Sequence, residues 1–330
     1  MSRPTFLITG AQGQLGQSFS WLLQQQASPT TDAILLGRAE LDITDSESIA
    51  QALERHRPDV LINAAAYTAV DKAESEPELA RLVNGIAPGL LAQACASRGI
   101  GLLHVSTDYV FDGQAATPYE EDAPTGPISA YGRSKLEGEQ AILSALPSAV
   151  VLRTSWVFSQ FGNNFLKTML RLGRERSELN IVADQLGGPS YAPHIAQVLL
   201  ELASRMTEDR KSRFQDAGQA GPSAGAEQGD PARPGACTPA GIYHYAGQPT
   251  VSWHDFAKDI FRQAVELGVL AKPPALTPIP TSQYPTPACR PAQSALSQDR
   301  LDSLLGKDAI PRDWQAGVLR SLLQLNAPDA

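Results

Sequence analysis

The residues best suited to chemistry are a phenol and an amine four positions apart. The stretch Ser129-Ala130-Tyr131-Gly132-Arg133-Ser134-Lys135 would set both side chains on one face of a helix. Ser129 suits the cap of that helix, and Leu136 with Leu143 suggests its apolar stripe. A free tyrosine keeps its proton to about pH 10, which makes it a poor base and a slow acid to regenerate at neutrality. An ammonium within reach favours the phenolate, so Lys135 would lower that value and Tyr131 would act as a proton shuttle. Taken alone, the spacing is commoner as a chance pairing on an amphipathic helix, so its weight depends on the rest of the chain.

A second cluster follows the predicted strand Gly101-Leu102-Leu103-His104-Val105 as Ser106-Thr107-Asp108. At the carboxyl end of a central parallel strand, Thr107 could donate to a carbonyl oxygen that gains negative charge. The competing reading is a strand-end turn that Ser and Thr satisfy locally. His104 is read as a buried strand residue, because no partner stands at metal-ligand spacing.

The third feature is Gly10-Ala11-Gln12-Gly13-Gln14-Leu15-Gly16, between the apolar run Thr5-Phe6-Leu7-Ile8-Thr9 and helically spaced Leu15, Phe19, Leu22 and Leu23. Strand, glycine turn and helix form the context in which a dinucleotide pyrophosphate approaches the backbone at a helix N-terminus. After a second strand at 33–36 comes Gly37-Arg38 where an acid would bind the ribose diol of NAD. An arginine there can accommodate the 2′-phosphate of NADP, which predicts NADPH, although Arg38 reads equally as a solvated charge.

These groups require an α/β scaffold. Strands at 59–63, 101–105, 149–153 and 242–245 alternate with helical patterns, which predicts a Rossmann-type, doubly wound parallel sheet with a smaller C-terminal substrate-binding part. Residues 1–155 form the expected cofactor core, with part of 180–206 returning to it, and 156–330 form mainly the substrate part. Asp42-Ile43 precedes Thr44-x-x-Glu47, a predicted capping box, and Ala64-Ala65-Ala66 lies at the carboxyl edge of the third strand. From 207 to 240 the composition turns to Gly, Pro, Ala, Gln and charge, which predicts a flexible insertion. Arg290, in a proline-stiffened loop, reads either as a clamp for a diphosphate or as a surface charge.

The chain has 330 residues and a net charge of −8, which argues against nucleic-acid and anionic-membrane partners. No leader and no apolar run of membrane-spanning length is evident, so a cytoplasmic location is expected. Cys95, Cys237 and Cys289 show no metal-type spacing and are read as reduced.

Gly10-x-x-Gly13-x-x-Gly16, Ser106-Thr107 and Tyr131-x-x-x-Lys135 occur in the order of the extended short-chain dehydrogenase/reductases. Asn63-Ala64-Ala65-Ala66-Tyr67-Thr68-Ala69-Val70-Asp71, Ser106-Thr107-Asp108-Tyr109-Val110-Phe111, Arg153-Thr154-Ser155-Trp156-Val157, Gly162-Asn163-Asn164-Phe165 and Tyr284-Pro285-Thr286-Pro287-Ala288 further resemble the dTDP-4-dehydrorhamnose reductases. The resemblance covers essentially the whole chain apart from the insertion. It implies reduction of the C4 ketone of dTDP-4-dehydro-L-rhamnose, with Tyr131 as proton donor, Lys135 lowering its pKa and holding the nicotinamide ribose, and Thr107 polarising the carbonyl oxygen. Asp108 and Trp156 would touch the sugar nucleotide. Gly13, Gln14, Leu15, Asp42, Ile43, Ala66, Tyr67, Thr68 and Val105 match the family's cofactor contacts. Some members dimerise through a divalent metal held by glutamates; here the corresponding stretches read Gln17-Ser18 and Pro193-His194, so no metal is expected, and monomer and homodimer both stay open. A dehydratase of the same fold would carry Asp-Glu after the threonine, where this chain has Asp108-Tyr109. An epimerase, and a non-catalytic subunit such as the relative that serves methionine adenosyltransferase, are the remaining alternatives; intact Tyr131, Lys135 and Thr107 argue against the latter.

Overall fold

The computed structural model describes residues 3–25, 31–219 and 239–326. Its first half runs β1 (Thr5–Thr9), α1 (Gln14–Gln24), β2 (Asp32–Leu36), α2 (Ser46–His56), β3 (Val60–Asn63), α3 (Val70–Ala73), α4 (Pro77–Arg81), α5 (Ala87–Ala96), β4 (Gly101–Thr107), α6 (Ala130–Ala145) and β5 (Val150–Thr154). Then follow β6 (Val157–Phe158), α7 (Phe165–Glu175), β7 (Glu178–Val182), β8 (Leu186–Gly187), β9 (Ser190–Tyr191) and α8 (Ala192–Gln219). The chain continues through β10 (Gly241–His244), β11 (Val251–Ser252), α9 (Trp253–Glu266), β12 (Ala275–Ile279), α10 (Asp299–Leu305) and α11 (Trp314–Leu325).

Six strands form one sheet in the order β10-β5-β4-β3-β1-β2, with every pairing parallel. The strands are apolar on both faces because helices cover both. Helices α1 and α8 bury Phe19, Ile195 and Leu199 against Phe6, Ile62 and Leu103. On the other face, Ile49, Leu91 and Ile142 from α2, α5 and α6 meet Leu7, Leu61 and Leu102. A separate core joins α7, α9 and α11 through Leu166, Phe256, Ile260 and Val318. No helix among the described residues is long and apolar enough to cross a membrane.

Several local expectations change. The cap of α2 is Asp45, whose carboxylate accepts from the Glu47 and Ser48 amides, while the Thr44 hydroxyl donates to Asp42. Helix α8 continues past Thr207 to Gln219, so the stretch read as an insertion from 207 begins as helix; residues 220–238, with Cys237, lie outside the described residues. The buried face of α6 holds Tyr131, Ser134, Lys135, Gly138, Glu139 and Ile142, whereas Leu136 and Leu143 are only half-buried. This helix turns its polar side inward because that side carries the site.

Candidate active site

The chain runs from β1 outward to β2 and then back across to β3, so the sheet reverses its winding between β1 and β3. In doubly wound sheets the crevice outside the strands' carboxyl ends at such a point is the ligand site. A cavity of about 690 Å³ opens there. Gly10, Gly13, Gln14, Leu15, Arg38, Asp42, Ile43, Ala64, Ala66, Tyr67 and Thr68 line it. So do Val105, Thr107, Asp108, Tyr131, Lys135, Trp156 and Arg290. Of the residues expected from sequence, Gly16 alone does not line the cavity. It packs behind the turn, where an added Cβ would lie 2.2 Å from the Gly10 carbonyl oxygen.

The glycine turn suits a dinucleotide on structural grounds. Gly10 adopts φ +74°, and a Cβ there would stand 2.9 Å from the Ala65 amide nitrogen. Gly13 gives α1 no side-chain cap, as is also the case for α3, α4, α5 and α10, and at α1 the first turn lines the cavity, where its amides can meet an anion. The buried Oγ of Ser106 and Oγ1 of Thr154, both on residues lining the cavity, have no hydrogen-bond partner in the protein. Arg38 lines the cavity, is exposed and pairs with Asp42 at 3.4 Å.

Helix α6 starts from a Ser129 cap that accepts from the Gly132 amide at 3.1 Å. This fixes Tyr131 in the first turn and Lys135 one turn on, both buried. Lys135 Nζ donates to the Val105 carbonyl at 2.7 Å and lies 3.0 Å from His104 Nε2. Burial lowers its pKa to about 8, against the opposing charge of Glu139. Tyr131 departs from expectation. Burial and the charge of Asp108 push its phenol above the ordinary value, and a hydrogen bond with Thr107 opposes them, so the net shift is upward and not the expected lowering. The phenol is therefore a group that keeps its proton.

Thr107 also differs from expectation. Its hydroxyl donates to Asp108 Oδ1 at 2.8 Å and accepts from the Tyr109 amide, so it is not a free donor. Asp108 is buried, which raises its pKa to about 6 against the hydrogen bond from Thr107, and its Oδ2 has no partner. Arg290 donates to Asp71 Oδ2 at 3.0 Å, and that pairing holds it at the cavity edge.

The sequence reading missed three groups. Asn84 lies in a π-helical turn at Leu82–Ile86, donates to the Tyr67 carbonyl and Ser134, and accepts from the Tyr67 amide. Trp253 stacks on Trp156 with ring centres 3.5 Å apart and builds an aromatic wall with Phe165. Asn164 donates to Gln14 Oε1 at 2.6 Å and so ties the second half to the glycine turn. Each depends on long-range packing, and only Asn164, as a helix cap, has a local signal.

Comparison with known proteins identifies this arrangement. The family described as RmlD substrate binding domain matches residues 4–218 and 230–327. The chain belongs to the dTDP-4-dehydrorhamnose reductase family. It is 41% identical over 312 residues to dTDP-4-dehydrorhamnose reductase of Aggregatibacter actinomycetemcomitans, covering 94% of this chain and 96% of that one. The Salmonella typhimurium dTDP-4-dehydrorhamnose reductase is 36% identical, with 97% of each chain covered. The solved Bacillus anthracis dTDP-4-dehydrorhamnose reductase in complex with NADP superposes with a TM-score of 0.80 and 31% identity, over 98% of this chain and 100% of that one. The dTDP-4-dehydrorhamnose reductase family consists of oxidoreductases, and its Rossmann-type fold is the one described above.

Proposed function

We propose that this chain reduces the C4 ketone of dTDP-4-dehydro-L-rhamnose to dTDP-L-rhamnose with NADPH. The observation that carries the reading is one cavity lined both by the glycine turn that opens α1 and by Tyr131, Lys135, Thr107 and Asp108. Its relatives' names supply the substrate, and the cofactor follows from the Bacillus anthracis complex together with Arg38.

The reduced nicotinamide supplies the hydride when bound, and Gly10, Gly13, Gln14 and the start of α1 would hold its pyrophosphate. Tyr131 O–H gives its proton to the carbonyl oxygen of the substrate. Thr107 can aid by exchanging its hydrogen bond from Asp108 to that same oxygen, and Asp108, relieved of that bond, can turn to a sugar hydroxyl. Lys135, one helical turn on and anchored on the Val105 carbonyl, would hold the nicotinamide ribose. Trp156 and Trp253, which line the cavity, would touch the sugar nucleotide, and Arg290 would clamp its diphosphate.

The test supplies purified protein with NADPH and dTDP-4-dehydro-L-rhamnose, follows the absorbance of the reduced nicotinamide and identifies the sugar by NMR. Substrate-dependent oxidation giving dTDP-L-rhamnose is expected, with kcat/KM higher for NADPH than for NADH. Absence of turnover with either cofactor would overturn the reading.

A further inference from the structure

Beneath the cavity the sheet register sets Thr9, Asn63 and His104 side by side on β1, β3 and β4. All three are buried, and their polar atoms form a continuous line. Thr9 Oγ1 donates to Asn63 Oδ1 at 2.7 Å, Asn63 Nδ2 meets His104 Nδ1 at 3.0 Å, and His104 Nε2 meets Lys135 Nζ at 3.0 Å. At the other end Thr9 Oγ1 accepts from the Ala65 amide, in the cavity wall. The ladder thus runs from the glycine turn to the amine under the floor of the site.

Hydrogen bookkeeping restricts this line. An amide nitrogen has only hydrogens to offer, so His104 Nδ1 must present its lone pair and Nε2 must carry the ring hydrogen. Nε2–H then points at Nζ, which accepts only as the free amine. An ammonium has no lone pair, so with Lys135 charged the ring must carry its hydrogen on Nδ1, and Asn63 must turn its oxygen to the ring, giving up the bonds that Oδ1 accepts from Thr9 and, at 3.3 Å, from the Ala65 amide, whose other acceptor, Thr9 Oγ1, remains. Net, one proton is taken up from water, N–H bonds form at Nζ and Nδ1, and the Nε2–H bond breaks.

We propose that His104, held by Asn63 and Thr9, is a positioning residue for Lys135, a neutral imidazole whose tautomer follows the charge of the amine. The proposal rests on Lys135 being the amine of the reductase reaction. Burial and the neighbouring Lys135 hold His104 well below the ordinary imidazole range, so it stays neutral. Around Lys135, β4 brings His104 and α6 itself brings Tyr131 and Glu139, while Asp108 after β4 acts on Tyr131. From α4, Arg81 is taken by Glu137; the π-helical turn brings the uncharged Asn84, and Cys95 of α5 lies in an apolar core.

The experiment is NMR of the full chain labelled with ¹⁵N-histidine, without substrate, the His104 signals being assigned by their contacts with Val105. Between about pH 6 and about pH 10, His104 is expected to remain neutral and to change from the Nδ1–H to the Nε2–H form as Lys135 loses its proton. A tautomer that stays constant across that range, or an imidazolium within it, overturns the proposal. The readout needs no turnover, so it fails or succeeds independently of the substrate assignment. In kinetics, His104→Gln, which can donate or accept, is expected to keep kcat within about threefold, and His104→Leu to lower kcat about tenfold or more with KM nearly unchanged. Equal kcat in the leucine variant and the parent would also overturn it.

Discussion

Tyr131 and Asp108 are both buried at the cavity, and burial raises the pKa of each. Burial penalises the charged form of each, and the charge of Asp108 adds to the penalty on the phenol. A phenol that stays protonated serves ketone reduction, in which the first need is a proton to give. Tyr131→Phe is expected to lower kcat by about 10²–10⁴-fold while NADPH binding, followed by fluorescence titration, stays within about twofold. A near-normal kcat would remove Tyr131 from the reaction. For Asp108 the consequence reaches stability. Its carboxyl binds a proton more tightly folded than unfolded, so its contribution is largest below pH 3.8 and is lost as pH rises through about 6. Asp108→Asn should therefore stabilise the protein above that window by up to about 2–3 kcal/mol, with the advantage shrinking towards acid. Urea unfolding at several pH values measures this, and a pH-independent difference would contradict the assignment. The same variant should turn over more slowly, because the site gives up stability to keep this acid.

Helix α6 is positioned by its glycines as much as by its apolar residues. Gly132 and Gly138 bring its backbone against the turn after β4 and against the π-helical turn; an added Cβ would lie 2.2 Å from the Tyr109 carbonyl oxygen and 2.1 Å from that of Asn84. Both neighbours are backbone, so the helix must move to accept a methyl group. Gly138→Ala is expected to cost about 1–3 kcal/mol in urea unfolding and to lower kcat, since Tyr131 and Lys135 move with the helix. Unchanged stability and rate would show that the helix has room. These glycines also mark the limit of the sequence reading. The strands β1 to β5, the glycine turn and the Ser129 cap are local patterns, written as runs, spacings and single residues, and they emerge as expected. Leu136 and Leu143 misled because the inward face of α6 is polar, a choice made by the cavity rather than by the helix. The direction of the Tyr131 shift was likewise hidden, because it depends on how deeply the phenol is buried and on Lys135 facing Val105 and His104. The ladder of Thr9, Asn63 and His104 needs the register of three strands, which no single stretch contains.

The two halves of the molecule divide the cavity between them. The parallel sheet and its first helices supply the glycine turn and the proton-bearing groups, while Trp156, Phe165 at the start of α7 and Trp253 at the start of α9 supply aromatic lining. Trp156, with a backbone φ of +47°, leaves β5 to lie flat on Trp253 at the start of α9, and Trp253 Nε1 donates to Gln185 at 3.1 Å. The two halves meet through Asn164 and Gln14, and Arg290 reaches back to Asp71 near the start of α3. If each half serves its own ligand, damage to the aromatic wall should be felt by one ligand only. Trp253→Ala removes the stack that fixes Trp156, and an aromatic pair of this kind is worth about 0.5–1.5 kcal/mol beyond its buried area. Its KM for the sugar nucleotide is expected to rise about tenfold, with the Kd for NADPH within about twofold, because among the described residues the hydrogen bonds of the glycine turn, that of Asn164 apart, come from β2, α1 and the turn itself. Parallel losses in both constants would mean that the wall supports the whole cavity, and the assignment of the substrate to the second half would then fail.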